Sequence, residues 1–245
     1  MSPLTEPTRL ILKKDSVAAT DTNIREVSLL LHGNQSGGQF VDSSLNPKTV
    51  TKAGDTAPGS PTSGGNPVYP SSNSAFGSAI AFDGAGDYIA IAEASGSFTF
   101  GTDNFTIEFW FYPSNLTGVA VIADWRNVAG GQAGCLTLYR NSADLYFFES
   151  NTRIFAASAL TNTVFQHIAL CRGSNSTRLF VNGIQVGSTY TDTTSYVAPL
   201  SGSIYIGGLV NTVSTAGYID DLRITKGVAR YTSNFTPPTA PFPDF

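Results

Sequence analysis

The segment Phe105-Thr106-Ile107-Glu108-Phe109-Trp110-Phe111-Tyr112, closed by Pro113, decides how this 245-residue chain folds. Phe105, Ile107, Phe109 and Phe111 recur at every second position. An extended chain points alternate side chains to opposite faces, so the spacing predicts a β-strand with one apolar face. Toward the N-terminus, Tyr88-Ile89-Ala90-Ile91 and Ile80-Ala81-Phe82 flank the turn Asp83-Gly84-Ala85-Gly86-Asp87, and Val27 to Leu31 and Gln39-Phe40-Val41 form earlier apolar runs. Toward the C-terminus come Val119 to Ile122, Cys135 to Tyr139, Leu145 to Phe148, Phe165 to Cys171, Ser203 to Ile206 and Gly217 to Thr225. Between them Arg178 to Val181 runs through Asn182-Gly183 into Ile184-Gln185-Val186, the pattern of a two-residue hairpin with a type I′ turn. No amphipathic helix of useful length interrupts the series. Short strands at regular spacing predict a sandwich or barrel.

The composition agrees. Charged residues make up 13% of the chain, about half the usual 25% of a soluble domain. With 24 glycines and 13 prolines, such a chain favours strands and turns over helices. A net charge of −4, with 14 Lys and Arg spread along the sequence, argues against nucleic acid, whose binding needs clustered cations. No apolar run reaches the roughly 18 residues of a membrane span. The start, Met-Ser-Pro-Leu-Thr-Glu-Pro, lacks a secretory pattern, so cytoplasmic synthesis is expected. For the same reason glycosylation at Asn34, Asn104, Asn115, Asn175 and Asn234 is not expected. Cys135 and Cys171 lie outside any C-x-x-C pattern and read as two buried thiols, with one bridge as the alternative.

Three segments stand apart. Residues 1–25 read as an N-terminal arm around the apolar patch Leu10-Ile11-Leu12, too small to fold alone and suited to binding a partner. Residues 54–78 form a long polar Gly/Pro/Ser loop with prolines at 58, 61, 67 and 70, and loops of that length are commonly functional. Residues 237–245, with prolines at 237, 238, 241 and 243, read as an extended tail.

Taken together, Phe82-Asp83-Gly84 to Ile89, Asn104 to Trp110, Gln166-His167-Ile168-Ala169-Leu170, Leu179 to Gly183 and Ile219-Asp220-Asp221-Leu222-Arg223-Ile224 resemble a laminin G-like jelly roll. Leu29 to Gly33, Phe40 to Ser44 and Lys226 to Tyr231 add to the match. The resemblance is to the concanavalin A-like domains of bacteriophage structural proteins and covers Val27 to Phe235. It implies an all-β, two-sheet antiparallel jelly-roll sandwich over residues 26–236. That scaffold carries lectins, glycosidases, adhesion modules and virion proteins alike, so function must come from sites.

Glycosidases need two carboxylates flanking one bond. Glu108 has Thr106 and Trp110 two residues away on either side, so the pair is missing and no catalytic residue is expected. His32 at a strand end and His167 inside an apolar strand make no Ser-His-Asp set. Strict alternation places Asp220 on the face of Tyr218, Leu222 and Ile224, where a carboxylate must be compensated, by backbone N–H groups of a neighbouring turn or by a hard cation. The resemblance implies the turn near Phe82-Asp83-Gly84 as its neighbour, and a structural calcium there with Asp83 and Asp87 as further ligands. The alternative is plain turn chemistry. No cofactor is otherwise required. For carbohydrate, Trp125 with Asp124, Arg126 and Asn127 is the leading cluster, followed by Tyr139, Tyr146 and Tyr190; the alternative is that Trp125 covers a core edge.

The expected function is that of a non-enzymatic bacteriophage virion surface protein. It would be a capsid decoration or cement protein held by its arm and loops against the major capsid protein, as a homo-oligomer such as a trimer. The alternative is a carbohydrate-binding, lectin-like module of a tail fibre or adhesin that recognises host surface glycan.

Overall fold

The computed structural model describes residues 21–33, 40–53, 57–59, 79–126, 132–199, 202–209 and 214–244. The arm patch Leu10, Ile11 and Leu12, Asn127 and most of the 54–78 loop lie outside the described residues. The strands are β1 (Val27–Leu31), β2 (Val50–Ala53), β3 (Ala57–Gly59), β4 (Ala79–Asp83), β5 (Tyr88–Ala92), β6 (Phe105–Pro113), β7 (Val119–Asp124), β8 (Thr137–Asn141), β9 (Asp144–Glu149), β10 (Asn151–Ala156), β11 (Gln166–Gly173), β12 (Ser176–Val181), β13 (Ile184–Thr191), β14 (Ser203–Ile206) and β15 (Ala216–Lys226). A 3-10 turn at Ile24–Glu26 is the only helical piece among the described residues.

Every pairing is antiparallel. One sheet runs β13-β12-β11-β6-β15-β4-β3 with β1 also on β15, and the other runs β10-β9-β8-β7-β14-β5-β2. Phe105, Ile107, Phe109 and Phe111 of β6 meet Ile89, Ile91, Leu138, Phe147 and Ile204 of the facing sheet in one buried core. This is the two-sheet jelly roll that the alternation predicts, with inward positions interdigitating between the layers. Asn182 and Gly183 both have positive φ, 49° and 76°, as the I′ turn requires. Gly183 is fixed a second way: a Cβ there would fall 1.9 Å from the Phe235 carbonyl oxygen.

The apolar run at Phe40-Val41 forms no strand. Phe40 is buried in the core, but the Asp42 carboxylate next to it accepts from Leu30 N (3.0 Å), Ser44 N (2.9 Å) and Lys48 N (2.8 Å), which winds the segment into turns. Asp220 does not share a face with Leu222 and Ile224. Asp221 has φ +48° and the register with β6 shifts between Asp220 and Arg223, so a β-bulge reverses the alternation. Before it, Tyr218 packs with Trp110 on the outer face; after it, Leu222 and Ile224 enter the core. At the bulge β15 exchanges one neighbour for another, pairing β4 through Ile219 and β1 from Leu222 onward.

The outer face of the β6 sheet is covered by the chain's own C-terminal segment. Tyr231 and Phe235 pack against Ala169, Cys171 and Phe180, and Phe242 packs against Val27 and Leu30 under the Arg223 guanidinium, 3.6 Å from its ring centre. The end of the arm joins this layer, because the Asp21 carboxylate accepts from Arg223 (2.9 Å) and Arg230 (2.8 Å). Cys135 and Cys171 are free and buried, and burial pushes the Cys171 thiol up to about 12, which removes it as a nucleophile near neutral pH.

Candidate functional site

Glu108, the one acid on the strand where a glycosidase would place its pair, sits on the covered face and is fully buried. Register sets it opposite Arg223. Its Oε1 accepts from Arg223 Nε (2.9 Å) and Nη2 (2.7 Å), and its Oε2 accepts from the Tyr231 hydroxyl (2.8 Å). His167 Nε2 stands 3.3 Å from Oε2. Burial alone would raise the Glu108 carboxyl, yet Arg223, His167 and Arg230 hold it down at about 2. A general acid needs the opposite shift, so Glu108 is a structural counter-ion.

The Trp125 cluster divides. Trp125 is 1% exposed, its indole N–H donates to Phe98 O (3.1 Å), and its ring packs on Phe98 and Phe100, so it belongs to the core and offers no face to a sugar. Asp124 and Arg126 are held together beside it by bonds of 2.5–3.1 Å, and Thr137 Oγ1 donates to Asp124 (3.1 Å). Burial raises the Asp124 carboxyl despite Arg126. The Arg126 guanidinium lies 5.7 Å from the Phe148 ring centre, on the outer face of the β7 sheet.

That outer face carries the aromatic feature of the molecule. Register places Tyr139 of β8 opposite Tyr146 of β9, and Tyr146 opposite Phe155 of β10. Tyr139 and Tyr146 stack at 4.7 Å and 4°, and Phe155 continues the ladder at 5.1 Å from Tyr146. Phe148 meets Tyr139 edge-on at 6.2 Å. Directly opposed side chains on one face of an antiparallel pair are close enough for such contacts. Phe155 is 48% exposed, and Tyr139, Tyr146 and Phe148 are half-buried. The stacked rings spend their inner faces on each other and turn amphipathic edges outward; the Asp124–Arg126 pair nearby is buried, Asp124 at 0% and Arg126 at 8% exposure, and offers them no open polar group. Tyr139 and Tyr146 were among the sequence candidates; Phe148 and Phe155 were missed, since only strand pairing brings them into the row.

The concanavalin A-like lectin/glucanases superfamily model matches residues 83–230, more than half of the chain. The chain belongs to this superfamily. No curated protein matches it in sequence. Among solved structures, the binding domain of botulinum neurotoxin serotype C1 superposes with a TM-score of 0.60 at 15% identity, over 84% of this chain and 50% of that one. The binding domain of botulinum neurotoxin DC in complex with SialylT gives 0.59 at 16% identity, over 84% and 50%. A botulinum neurotoxin type C structure, described as depending for cell entry on two ganglioside molecules, gives 0.58 at 16% identity, over 84% and 49%. The chain spans about half the length of these proteins, and at such identities the likeness is one of fold.

The three aspartates weighed for calcium in this superfamily member do not converge. Asp83 and Asp87 occupy one turn, where Asp87 Oδ2 accepts from Asp83 N (2.8 Å) and Asp83 Oδ1 from Ala85 N (2.6 Å). Asp83 lies opposite Ala216, four residues from Asp220, or about 13 Å along a strand. No group of three His, Cys, Asp or Glu placed to hold a metal exists among the described residues. Asp220 Oδ1 instead accepts from Gly33 N (3.1 Å), just past β1, and from Asp221 N (2.8 Å) of its own strand, and neither partner belongs to the Asp83 turn.

Beside it, Asp221 binds His32 Nδ1 through Oδ1 and accepts from Phe242 N (2.8 Å) through Oδ2, while His32 Nε2 meets Asp244 (3.1 Å). This clamp ties the C-terminal segment to the bulge. Burial alone would lower His32, but Asp221, with Asp244 and Asp220, raises it above its usual value of 6.5. A histidine raised on folding stabilises fully below 6.5, and the gain is lost as pH rises through the folded value. Asp220, pushed up by burial and by Asp221, acts in the same sense from about pH 4 upward. The melting temperature is therefore expected to fall as pH rises from 6 to 9. His32→Gln should flatten that slope, which calorimetry at both pH values would check.

Proposed function

We propose that the chain is a lectin-like module that binds glycan on the outer face of the β7 sheet, along the Phe155–Tyr146–Tyr139 ladder. The observation that carries this reading is the contrast between the two sheets. One outer face is covered by the C-terminal segment, and the other leaves a row of half-exposed aromatic rings, two of them tyrosines. Apolar rings that orient a ligand, with a few polar groups that select it, are the general composition of small-molecule sites. Proteins of the same fold described with gangliosides and with SialylT support the ligand class. Binding without turnover is the reading, since Glu108 is committed to Arg223. Placement on a bacteriophage virion, as decoration or fibre module with the arm as tether and the major capsid protein or sister subunits as partners, is the companion proposal and rests on the sequence resemblance.

A glycan array followed by titration calorimetry tests the ladder. Tyr139→Ala combined with Tyr146→Ala should weaken the best glycan at least tenfold, about 1.4 kcal/mol, with melting close to that of the wild type. Wild-type affinity in the folded double variant, or no glycan bound by the wild type, would overturn the reading.

A further inference from the structure

At one end of the sandwich the β4–β5 turn, the segment joining β6 to β7 and the start of β15 border a half-open cavity of about 230 Å³, lined by Asp83, Asn115, Thr117, Arg140 and Ser214 among others. Arg140 reaches it because alternation along β8 puts position 140 on the side of the core residue Leu138. At the strand end that side opens between the layers. Arg140 is only 2% exposed. Its Nη1 donates to Thr117 O (3.3 Å) and Gly118 O (3.2 Å), and its Nε has no partner. The other buried arginines, Arg126, Arg172 and Arg223, each stand within 4 Å of a carboxylate. Arg140 has no ion pair among the described residues. Ser214 Oγ, also buried and on the cavity wall, has no partner among the described residues either.

A buried cation without a counter-charge is costly, and a site that retains one is suited to an anion that completes it. Burial lowers the Arg140 guanidinium from its usual value, in keeping with that unmet demand. Asp83 at the exposed mouth narrows the choice. Its negative charge opposes a dianion such as phosphate and accepts hydroxyl donors, while Arg140 takes a single carboxylate in its planar fork. The volume is below the roughly 300–1,000 Å³ of pockets for drug-sized ligands and suits one ring-sized molecule. We propose that this cavity binds a carboxylate-bearing sugar, with the carboxylate on Arg140 and Ser214 and the ring hydroxyls on Asp83. The site shares no residue with the aromatic ladder and does not depend on it.

Titration of the full chain with glucuronate, N-acetylneuraminate, glucose and sulfate, followed by NMR, tests the assignment. At least one of the two sugar acids should bind at least tenfold more tightly than glucose and than sulfate. Arg140→Met should abolish that preference, and Ser214→Ala should weaken the sugar acid several-fold. If Arg140→Met does not fold, Ser214→Ala and Asp83→Asn decide. No binding of either sugar acid, sulfate bound as tightly as they are, glucose bound equally well, or folded variants that bind like the wild type would each overturn the proposal.

Discussion

Glu108→Gln is expected to destabilise the domain by about 3–5 kcal/mol, the cost of removing one partner from a buried ion pair. The glutamine fills the same space. It cannot neutralise Arg223, which donates two bonds to Oε1, and it leaves the Tyr231 hydroxyl facing an uncharged amide. Asp21 still pairs with Arg223 and Arg230, which keeps the loss from being larger. The acid limb gives an independent check. Glu108 is held at about 2 against an ordinary 4.5, so its contribution is present above pH 4.5 and is lost as pH falls through 2. That shift corresponds to about 3 kcal/mol, in line with the mutational estimate. Guanidinium unfolding at pH 7 and pH 3 should show the wild type losing stability between the two and the variant losing less. A variant as stable as the wild type at pH 7 would mean that the buried network contributes nothing net.

Glu108 also marks the boundary of what the sequence carries. Its strand is legible from Phe105, Ile107, Phe109 and Phe111 because local alternation suffices, and the same holds for the Asn182-Gly183 turn. Its partner is not legible: Arg223 is far along the chain, and only the order of strands in the sheet sets them opposite each other. Three strands escaped for related reasons. In β10, Asn151–Ala156, only Ile154 and Ala156 face the core, so an edge strand with polar outward positions gives little periodic signal. The segments of β2 and β3 lie at sheet edges, and β3 contains Pro58, which an edge tolerates and a pattern search reads as loop. The bulge at Asp221 is the clearest failure of period two. One residue with positive φ moved Asp220 to the outer face and sent Leu222 and Ile224 inward; aspartate tolerates that conformation, but an Asp-Asp pair inside an apolar strand does not by itself say where the alternation breaks.

The candidate site was half legible. Tyr139 and Tyr146 could be named as polar-tipped aromatics on strands, but a row across three strands is a property of register. Phe155 enters it only because β10 pairs with β9 through a shift between Thr152 and Ile154. The cavity at Arg140 had no sequence signal. Arginine near a strand end ordinarily turns to solvent, and its inward course follows from the parity of Leu138.

Trp125→Ala is the second change with a large expected effect, and it separates a core role from a binding role. Exposed in a loop, Trp125 would lose ligand and keep its fold when truncated. In the structure its indole is buried against Phe98 and Phe100 and donates to the Phe98 carbonyl, and its backbone N–H bonds Leu136 O (3.0 Å). Truncation should therefore cost about 3–5 kcal/mol, the range for a buried aromatic replaced by alanine, through lost contacts and the cavity left behind. It also strands the Phe98 carbonyl, which adds to the cost of an unsatisfied buried acceptor. Trp125→Phe keeps much of the volume and loses the donor, so it should fall between the two. The indole packs on Phe98 and Phe100 and not on the Tyr139–Tyr146–Phe155 row, so glycan affinity in Trp125→Ala should drop only in proportion to the unfolded fraction. Denaturant titration alongside calorimetry at a temperature where the variant is folded distinguishes the cases. A fully folded Trp125→Ala protein that has lost its ligand would return Trp125 to the binding surface and displace the ladder as the primary site.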